Sequence, residues 1–256
     1  MSYIFDSHAH YDADAFDEDR DTVLSALPDA GVCAVIQCAT DPDSIQKSLA
    51  LAERYPYIRV AVGIHPEFVN EATPDWLNIV RAATAHPAVC AIGEIGLDYY
   101  WEENAPREVQ LDWCRRQIEL ALELELPVIL HDREAHEDTL NLIREYRPRG
   151  VVHCFSGSAE MARQVTDLGL YIGLGGAVTF KNARKPVEVA AAIPSDRLLL
   201  ETDAPYMAPV PLRGKRCDSA MIAHTAARIA EIRDMDAETL LAITRQNTNT
   251  LFGLNL

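Results

Sequence analysis

The sequence predicts an α/β protein folded as a single (β/α)8 barrel, and three observations predict it. Short apolar runs alternate with charged, amphipathic segments, and eight such runs can be counted. The length, 256 residues, is close to the ~250 typical of one closed barrel of this kind. Polar side chains suited to metal binding cluster just after the runs, where a β/α barrel builds its site.

The runs are Tyr3–Phe5, Ala34–Cys38, Val60–Ile64, Val89–Ile92, Pro127–Leu130, Gly150–Val152, Leu170–Leu174 and Leu198–Leu200. Helical patterns lie between them. Pro42–Tyr55 follows Asp41 as a candidate N-cap, and Pro74–His86 follows Thr73. The longest, Pro106 to Leu126, opens on a proline and carries Leu111, Ile118 and Leu122 at helical spacing. Glu134–Tyr146, Ala159–Leu168, Asn182–Ala192, Ser219–Ile232 and Ala237–Leu251 complete the set, the last capped by Asp236. There is no linker, low-complexity stretch or repeat of fixed period, so one domain over residues 1–256 is expected.

Composition excludes several classes. Apolar content is 48% and charged content 24%, both ordinary for a globular chain. The net charge of −16 repels polyanions and anionic membranes, so any nucleic-acid contact must be local or assisted by cations. The six cysteines form no CxxC and sit in core-like segments, which predicts reduced thiols and a cytoplasmic protein. No signal peptide and no membrane span are expected.

The chemistry begins at Phe5-Asp6-Ser7-His8-Ala9-His10. Residues two apart on a strand share a face, so His8 and His10 point together at the end of the first run. Gly63-Ile64-His65-Pro66 ends run three, Gly93-Glu94-Ile95-Gly96-Leu97-Asp98 run four, and His131-Asp132-Arg133 run five. His153 ends run six, and Glu201-Thr202-Asp203 run eight. Five of the eight histidines therefore fall at such ends, while His86, His136 and His224 fall in helical segments and read as surface or packing residues.

Four histidines with two carboxylates exceed what one catalytic zinc ordinarily takes. The surplus points to two divalent ions, with Glu94, flanked by glycines, as the bridge. Mixed nitrogen and oxygen donors accept Zn, Mn, Co or Mg. Asp203 is the candidate to bind metal and to hold or deprotonate the attacking water, with Glu201 beside it. Asp6 is a candidate to orient a histidine. His65 reads equally well as a phosphate contact and as a structural imidazole. Arg213, Lys215 and Arg216, with Lys181, Arg184, Lys185 and Arg133, form the main basic concentration and a candidate phosphate cradle. Aromatics in the same loops, Phe68, Tyr99, Tyr100, Trp101, Phe155, Phe180 and Tyr206, are able to stack on unpaired bases or to pack the rim.

These stretches, with His131-Asp132-Arg133-Glu134-Ala135, His153 to Gly157, Glu201 to Tyr206 and Pro209 to Lys215, run over essentially the whole chain. Together they resemble the TatD family of metal-dependent deoxyribonucleases, within the amidohydrolase-like TIM barrels. The resemblance implies a two-metal site at the C-terminal face of the strands. His8, His10, Glu94 and Asp203 would hold one ion; Glu94, His131 and His153 would hold the other. It also implies phosphodiester hydrolysis of DNA, often from a 3′ end. His65, Arg133, Tyr206, Arg213 and Lys215 are expected on the substrate side, and no stable protein partner is expected. Leu212, where many relatives have histidine, and Cys217-Asp218-Ser219, where Asn-Glu-Pro is more usual, depart from the family pattern.

Two other hydrolases fit the same ligands: an amidohydrolase or lactonase acting on a small molecule, and a hydrolase of the ester at a tRNA 3′ end. Many barrels of the first kind bridge their metals with a modified lysine, and Val89–Asp98 contains none. A metal-bound binding protein without turnover is a third reading, which the intact ligand set disfavours.

Overall fold

A computed structural model describes residues 4–256, so Tyr3 of the first run lies outside the described residues. Eight parallel strands are hydrogen-bonded in chain order: β1 (Ile4–Ala9), β2 (Val32–Cys38), β3 (Ile58–Val62), β4 (Val89–Asp98), β5 (Val128–Arg133), β6 (Gly150–Val152), β7 (Tyr171–Leu174) and β8 (Leu198–Leu200). Helices run between them and close the chain: α1 (Arg20–Ala26), α2 (Pro42–Arg54), α3 (Pro74–Ala83), α4 (Arg107–Glu123), α5 (His136–Tyr146), α6 (Ala159–Asp167), α7 (Arg184–Ala192), α8 (Ile222–Ile232) and α9 (Ala237–Phe252). This is the (β/α)8 barrel the sequence predicts. No helix among the described residues is long and apolar enough to cross a membrane.

The strand alternation divides the core. Phe5, Ala34, Ile36, Cys38, Ala61, Ala91, Ile129, Val151 and Leu199 form one buried cluster, capped by Leu251 and Phe252 from α9. The intervening residues, Val35, Val60, Val62 and Ile92 among them, belong to the larger cluster packed with the helices. Small side chains stand in the first cluster on β2, β3 and β4: Ala34, Ala61 and Ala91.

Several elements differ from the sequence expectation. α1 was not foreseen; it is seven residues long and buries only Leu24, too little to leave an apolar stripe. β4 runs ten residues, so Glu94 and Asp98 lie within the strand instead of after it. Thr73 makes no side-chain cap; Pro74 in the first turn lacks one of the N–H groups a cap would satisfy. Asp41 and Asp236 do cap, accepting from Asp43 and Ser44 N–H (2.7 and 3.0 Å) and from Thr239 N–H (2.9 Å). On α4, Leu122 is exposed, and the inward stripe is Gln110, Trp113, Cys114, Gln117, Ile118 and Ala121. Two glutamines stand on that stripe, each hydrogen-bonded to main-chain atoms of the barrel. His86 sits in the turn after α3, where its Nδ1 accepts from Ala88 N–H (3.2 Å).

Between β1 and β8 the barrel closes without a regular ladder. Ala9 and Ala204 form an isolated bridge. Asp203 N–H donates to His8 O (2.9 Å) and His10 N–H to Ala204 O (2.7 Å). Behind them Asp6, fully buried, accepts four hydrogen bonds. His8 N–H and Thr202 N–H reach Oδ1 (3.2 and 3.0 Å), and the Thr202 and Ser219 hydroxyls reach Oδ2 (2.6 and 2.7 Å).

His136, at the start of α5, places Nδ1 2.8 Å from Asp132 Oδ2, and that hydrogen bond raises its pKa above the ordinary 6.5. A histidine holding its proton more tightly in the fold stabilises fully below the unfolded pKa, and this contribution is lost as pH rises through the folded value. The wild type should therefore exceed His136→Ala in melting temperature most at about pH 6, and the gap should narrow towards about pH 9. A gap independent of pH would mean that the side chain acts by packing alone.

Candidate metal centre

The centre is organised on one carboxylate. Glu94 is 2% exposed, and its two oxygens face different groups of histidines. Oε2 lies 3.2 Å from His8 Nε2 and 3.3 Å from His10 Nε2. Oε1 lies 2.7 Å from His153 Nε2, 2.9 Å from His131 Nδ1 and 3.3 Å from His65 Nε2. Asp203 Oδ1 joins the first group, 3.5 Å from His10 Nε2 and 3.7 Å from His8 Nε2. Ligand atoms lie within 4.8 Å of one another in three triads: His8, Glu94 and His153; His8, His10 and Asp203; and His65, Glu94 and His131.

Their supports fix which nitrogen faces inward. Cys38 O can only accept, so His10 Nδ1 donates to it (2.9 Å) and a neutral His10 aims its Nε2 lone pair at the centre. Asp98, fully buried, accepts from His131 Nε2–H (3.1 Å), so a neutral His131 presents its Nδ1 lone pair inward. His65 is the reverse. Its Nδ1 accepts from Glu67 N–H (3.2 Å), so Nε2 carries the proton and faces Glu94 as a donor. His8 Nδ1 meets the Cys38 thiol at 3.4 Å, and its ring stacks on His153 at 3.8 Å.

α4 holds two of the strand ends. Gln117 accepts from Ile64 N–H (2.7 Å) and donates to Ile64 O (3.0 Å), one residue before His65. Gln110 does the same for Asp98 N–H and O (2.8 and 2.9 Å). Two glycines make the close approaches possible. A Cβ on Gly96 would stand 2.1 Å from His131 O, and one on Gly173 would stand 2.3 Å from Glu201 Oε2.

The electrostatics are those of a site built for added positive charge. Burial would raise the Glu94 pKa, but His153, His65 and His8 outweigh it and hold the carboxyl well below its usual range. Burial opposes charge on His131, yet Asp98 and Glu94 raise it to about 10. Burial, with His153, lowers His8 to about 4. Burial also pushes Glu201 up to about 8. Two buried atoms, Nδ1 of His153 and Oε2 of Glu201 behind it, have no hydrogen-bond partner. Imidazole nitrogens crowded on one buried carboxylate, with a second carboxylate beside them, fit divalent cations by donor type and by spacing.

An open cavity of about 560 Å³ reaches this cluster, lined by His10, Thr40, His65, Phe68, Glu94, Trp101, His131, Arg133, His153, Asp203 and Tyr206 among others. The structure thus brings together His8, His10, Glu94, His131, His153 and Asp203, and adds His65 to them. Arg133 and Tyr206 reach the cavity wall, but Glu201 does not; its Oε1 accepts from Cys154 N–H behind His153.

Arg213 and Lys215 are exposed and outside the wall, with the Arg213 guanidinium 3.9 Å over the Phe180 ring. Arg216 is held by Asp19 (2.6 and 2.7 Å) and Arg184 by Glu188 (2.9 Å). Of the expected basic cradle, Arg133 lines the cavity itself. Asp98, Cys38, Gln110 and Gln117 carry supporting roles that sequence reading did not assign. Polar residues at 110 and 117 on the core stripe of α4 were the available signal. A second hollow of about 360 Å³, walled by Asp17, Asp19, Arg20 and Arg54 among others, holds ion pairs already made, Arg20 with Asp17 and Arg54 with Asp21.

Comparison with known proteins points the same way. The chain matches the family described as TatD related DNase over residues 5–253. The uncharacterized metal-dependent hydrolase YabD of Bacillus subtilis is 40% identical, over 98% of this chain and all of that protein. The 3′-5′ ssDNA/RNA exonuclease TatD of Salmonella typhimurium is 35% identical, over 97% of this chain and 98% of its own. The crystal structure of YjjV, a TatD homologue from Escherichia coli K12, superposes with a TM-score of 0.93 at 34% identity, over 98% of both chains. A barrel whose strand ends converge on one buried glutamate, and whose likeness to these proteins runs from end to end, belongs to the TatD-related DNase family of metal-dependent hydrolases.

Proposed function

We propose that the chain hydrolyses phosphodiester bonds of DNA, shortening single strands from their 3′ ends, with two divalent cations bridged by Glu94. The observation that carries this reading is the division of Glu94, one oxygen towards His8 and His10 and the other towards His131 and His153. Asp203 completes the first group, and these six residues would hold the ions. Mg, Mn, Zn and Co are the candidate ions, and bound there they supply charge to a phosphate and lower the pKa of water.

The chain's own groups do the rest. Asp203, at the cavity wall, orients the attacking water and takes its proton. His65 lies at the cavity wall where its Nε2–H, turned from Glu94 once that carboxylate holds metal, would reach a phosphate oxygen, and Arg133 offsets phosphate charge. Glu201 positions the His153–Cys154 turn. Tyr206 borders the entrance, and Arg213 and Lys215, outside the wall, meet the strand further along. A net charge of −16 favours local capture of a strand end over coating of a duplex. The Salmonella relative's name accords with that substrate. With all six cysteines free, we place the protein in the cytoplasm, without a membrane or a stable protein partner.

The test uses end-labelled single-stranded and duplex DNA with metal-stripped protein, each ion added back in turn. Shortening of the single strand that requires added metal, with a ladder growing from the 3′ end, is expected. Glu94→Ala should fall to the metal-free level. Metal bound at two per chain without cleavage under any ion would overturn the reading.

A further inference from the structure

Aromatic exposure on this molecule is concentrated at the cavity mouth. Among the described residues the large aromatic side chains that are exposed are Tyr100 (51%), Trp101 (42%) and Tyr206 (60%). Tyr100 and Trp101 follow β4, and Tyr206 follows β8. Those strands are four apart in an eight-strand order, so their loops approach the mouth from opposite sides. Trp101 and Tyr206 line the same cavity as Glu94.

Trp101 is also held in place. Its ring meets Tyr100 edge-on, with centroids 4.8 Å apart and planes at 84°. The Arg133 guanidinium lies 4.0 Å from the Tyr100 centroid and 5.1 Å from that of Trp101. A planar cation against both rings restrains them while one indole surface stays in the cavity wall. A large ring held exposed beside a cationic phosphate contact has the chemistry of a stacking platform for nucleobases.

Resting on the nuclease reading, we propose that Trp101, restrained by Tyr100 and Arg133, stacks on an unpaired nucleobase next to the scissile phosphate. By this contact it selects single strands. A base inside a duplex has both faces covered and must first be unstacked to reach the ring. Stacking tolerates any base, so Trp101 sets strand preference and not sequence preference.

The experiment compares a normal single strand with one whose terminal nucleotides at both ends lack bases, using metal-loaded wild type, Trp101→Ala and Trp101→Phe. On the normal strand, Trp101→Ala should lower kcat/KM on the order of tenfold, mainly through KM, with Trp101→Phe recovering most of it. The wild type should lose a similar factor on the base-free ends, and Trp101→Ala should lose no more there. An equal loss on both strands, or none on either, would overturn the proposal and leave the nuclease reading standing. A wild type that cleaves neither strand would overturn the nuclease reading, and the proposal with it.

Discussion

Asp203→Asn is expected to keep the fold and lose hydrolysis by about 10²–10⁴-fold, the range associated with a positioned general base. The backbone at this position favours the substitution. Asp203 has φ of +61°, a region asparagine enters as readily as aspartate. Its hydrogen bonds to the barrel, N–H to His8 O and O from Tyr206 N–H, are made by main-chain atoms and survive the change. What disappears is a negative oxygen at 3.5 Å from His10 Nε2, and with it an anionic ligand and a proton acceptor. His10 and His131 retain their orienting partners, Cys38 O and Asp98. Rates on single-stranded DNA, melting temperature and bound metal should be read together. Near-normal rates would refute the role of Asp203. Normal metal content with lost rate would assign it to the water and its proton; lost metal would assign it first to binding.

The barrel and its candidate ligands were legible because both are written in short-range patterns. Eight apolar runs alternate with helices, and each candidate ligand follows shortly after a run. The geometry that makes the ligands a site was less legible, because it is long-range. Nothing in the spacing of residues 94, 98 and 131 says that Asp98 reaches across to hold His131. The two glutamines of α4 are seven residues apart and read as breaks in an apolar stripe. Their meaning appears only once β3 and β4 end beside them. His65 was ambiguous for a related reason: its role turns on a single backbone N–H, that of Glu67, which decides which ring nitrogen carries the proton. For the basic loops, partners decide placement as much as charge does. Arg216 and Arg184 are paired and Arg213 lies on an aromatic ring, leaving Arg133 at the cavity.

The seam behind the ligands gives the largest expected stability effect. Asp6→Ala removes an acceptor that serves four buried donors from β1, the segment after β8 and the turn before α8. Leaving a buried donor unsatisfied costs ~1–3 kcal/mol. Allowing for partial relaxation, the total should be on the order of 4 kcal/mol, a large share of the ~5–15 kcal/mol that holds a protein folded. For a chain of this size that corresponds to a fall in melting temperature of about 8–16 °C.

Burial pushes the Asp6 carboxyl up to about 6, against the donors that hold it down, so the comparison belongs above that pH, where it is ionised. Asp6→Asn should cost less, since one oxygen still accepts and the two hydroxyls can turn to meet the amide. Ser219→Ala, which removes a single donor together with its contact to Tyr11, should cost least. Ser219 belongs to the stretch that departs from the family pattern, and its hydroxyl donates to Asp6 behind the seam.

The order Ala, then Asn, then Ser219→Ala separates a loss of hydrogen bonds from a loss of packing. Metal affinity should follow the same order, because His8 and His10 on one side of the seam and Asp203 on the other must meet around one ion. A melting temperature within about 2 °C of wild type for Asp6→Ala would mean that the bridge at Ala9 and Ala204 closes the barrel without it.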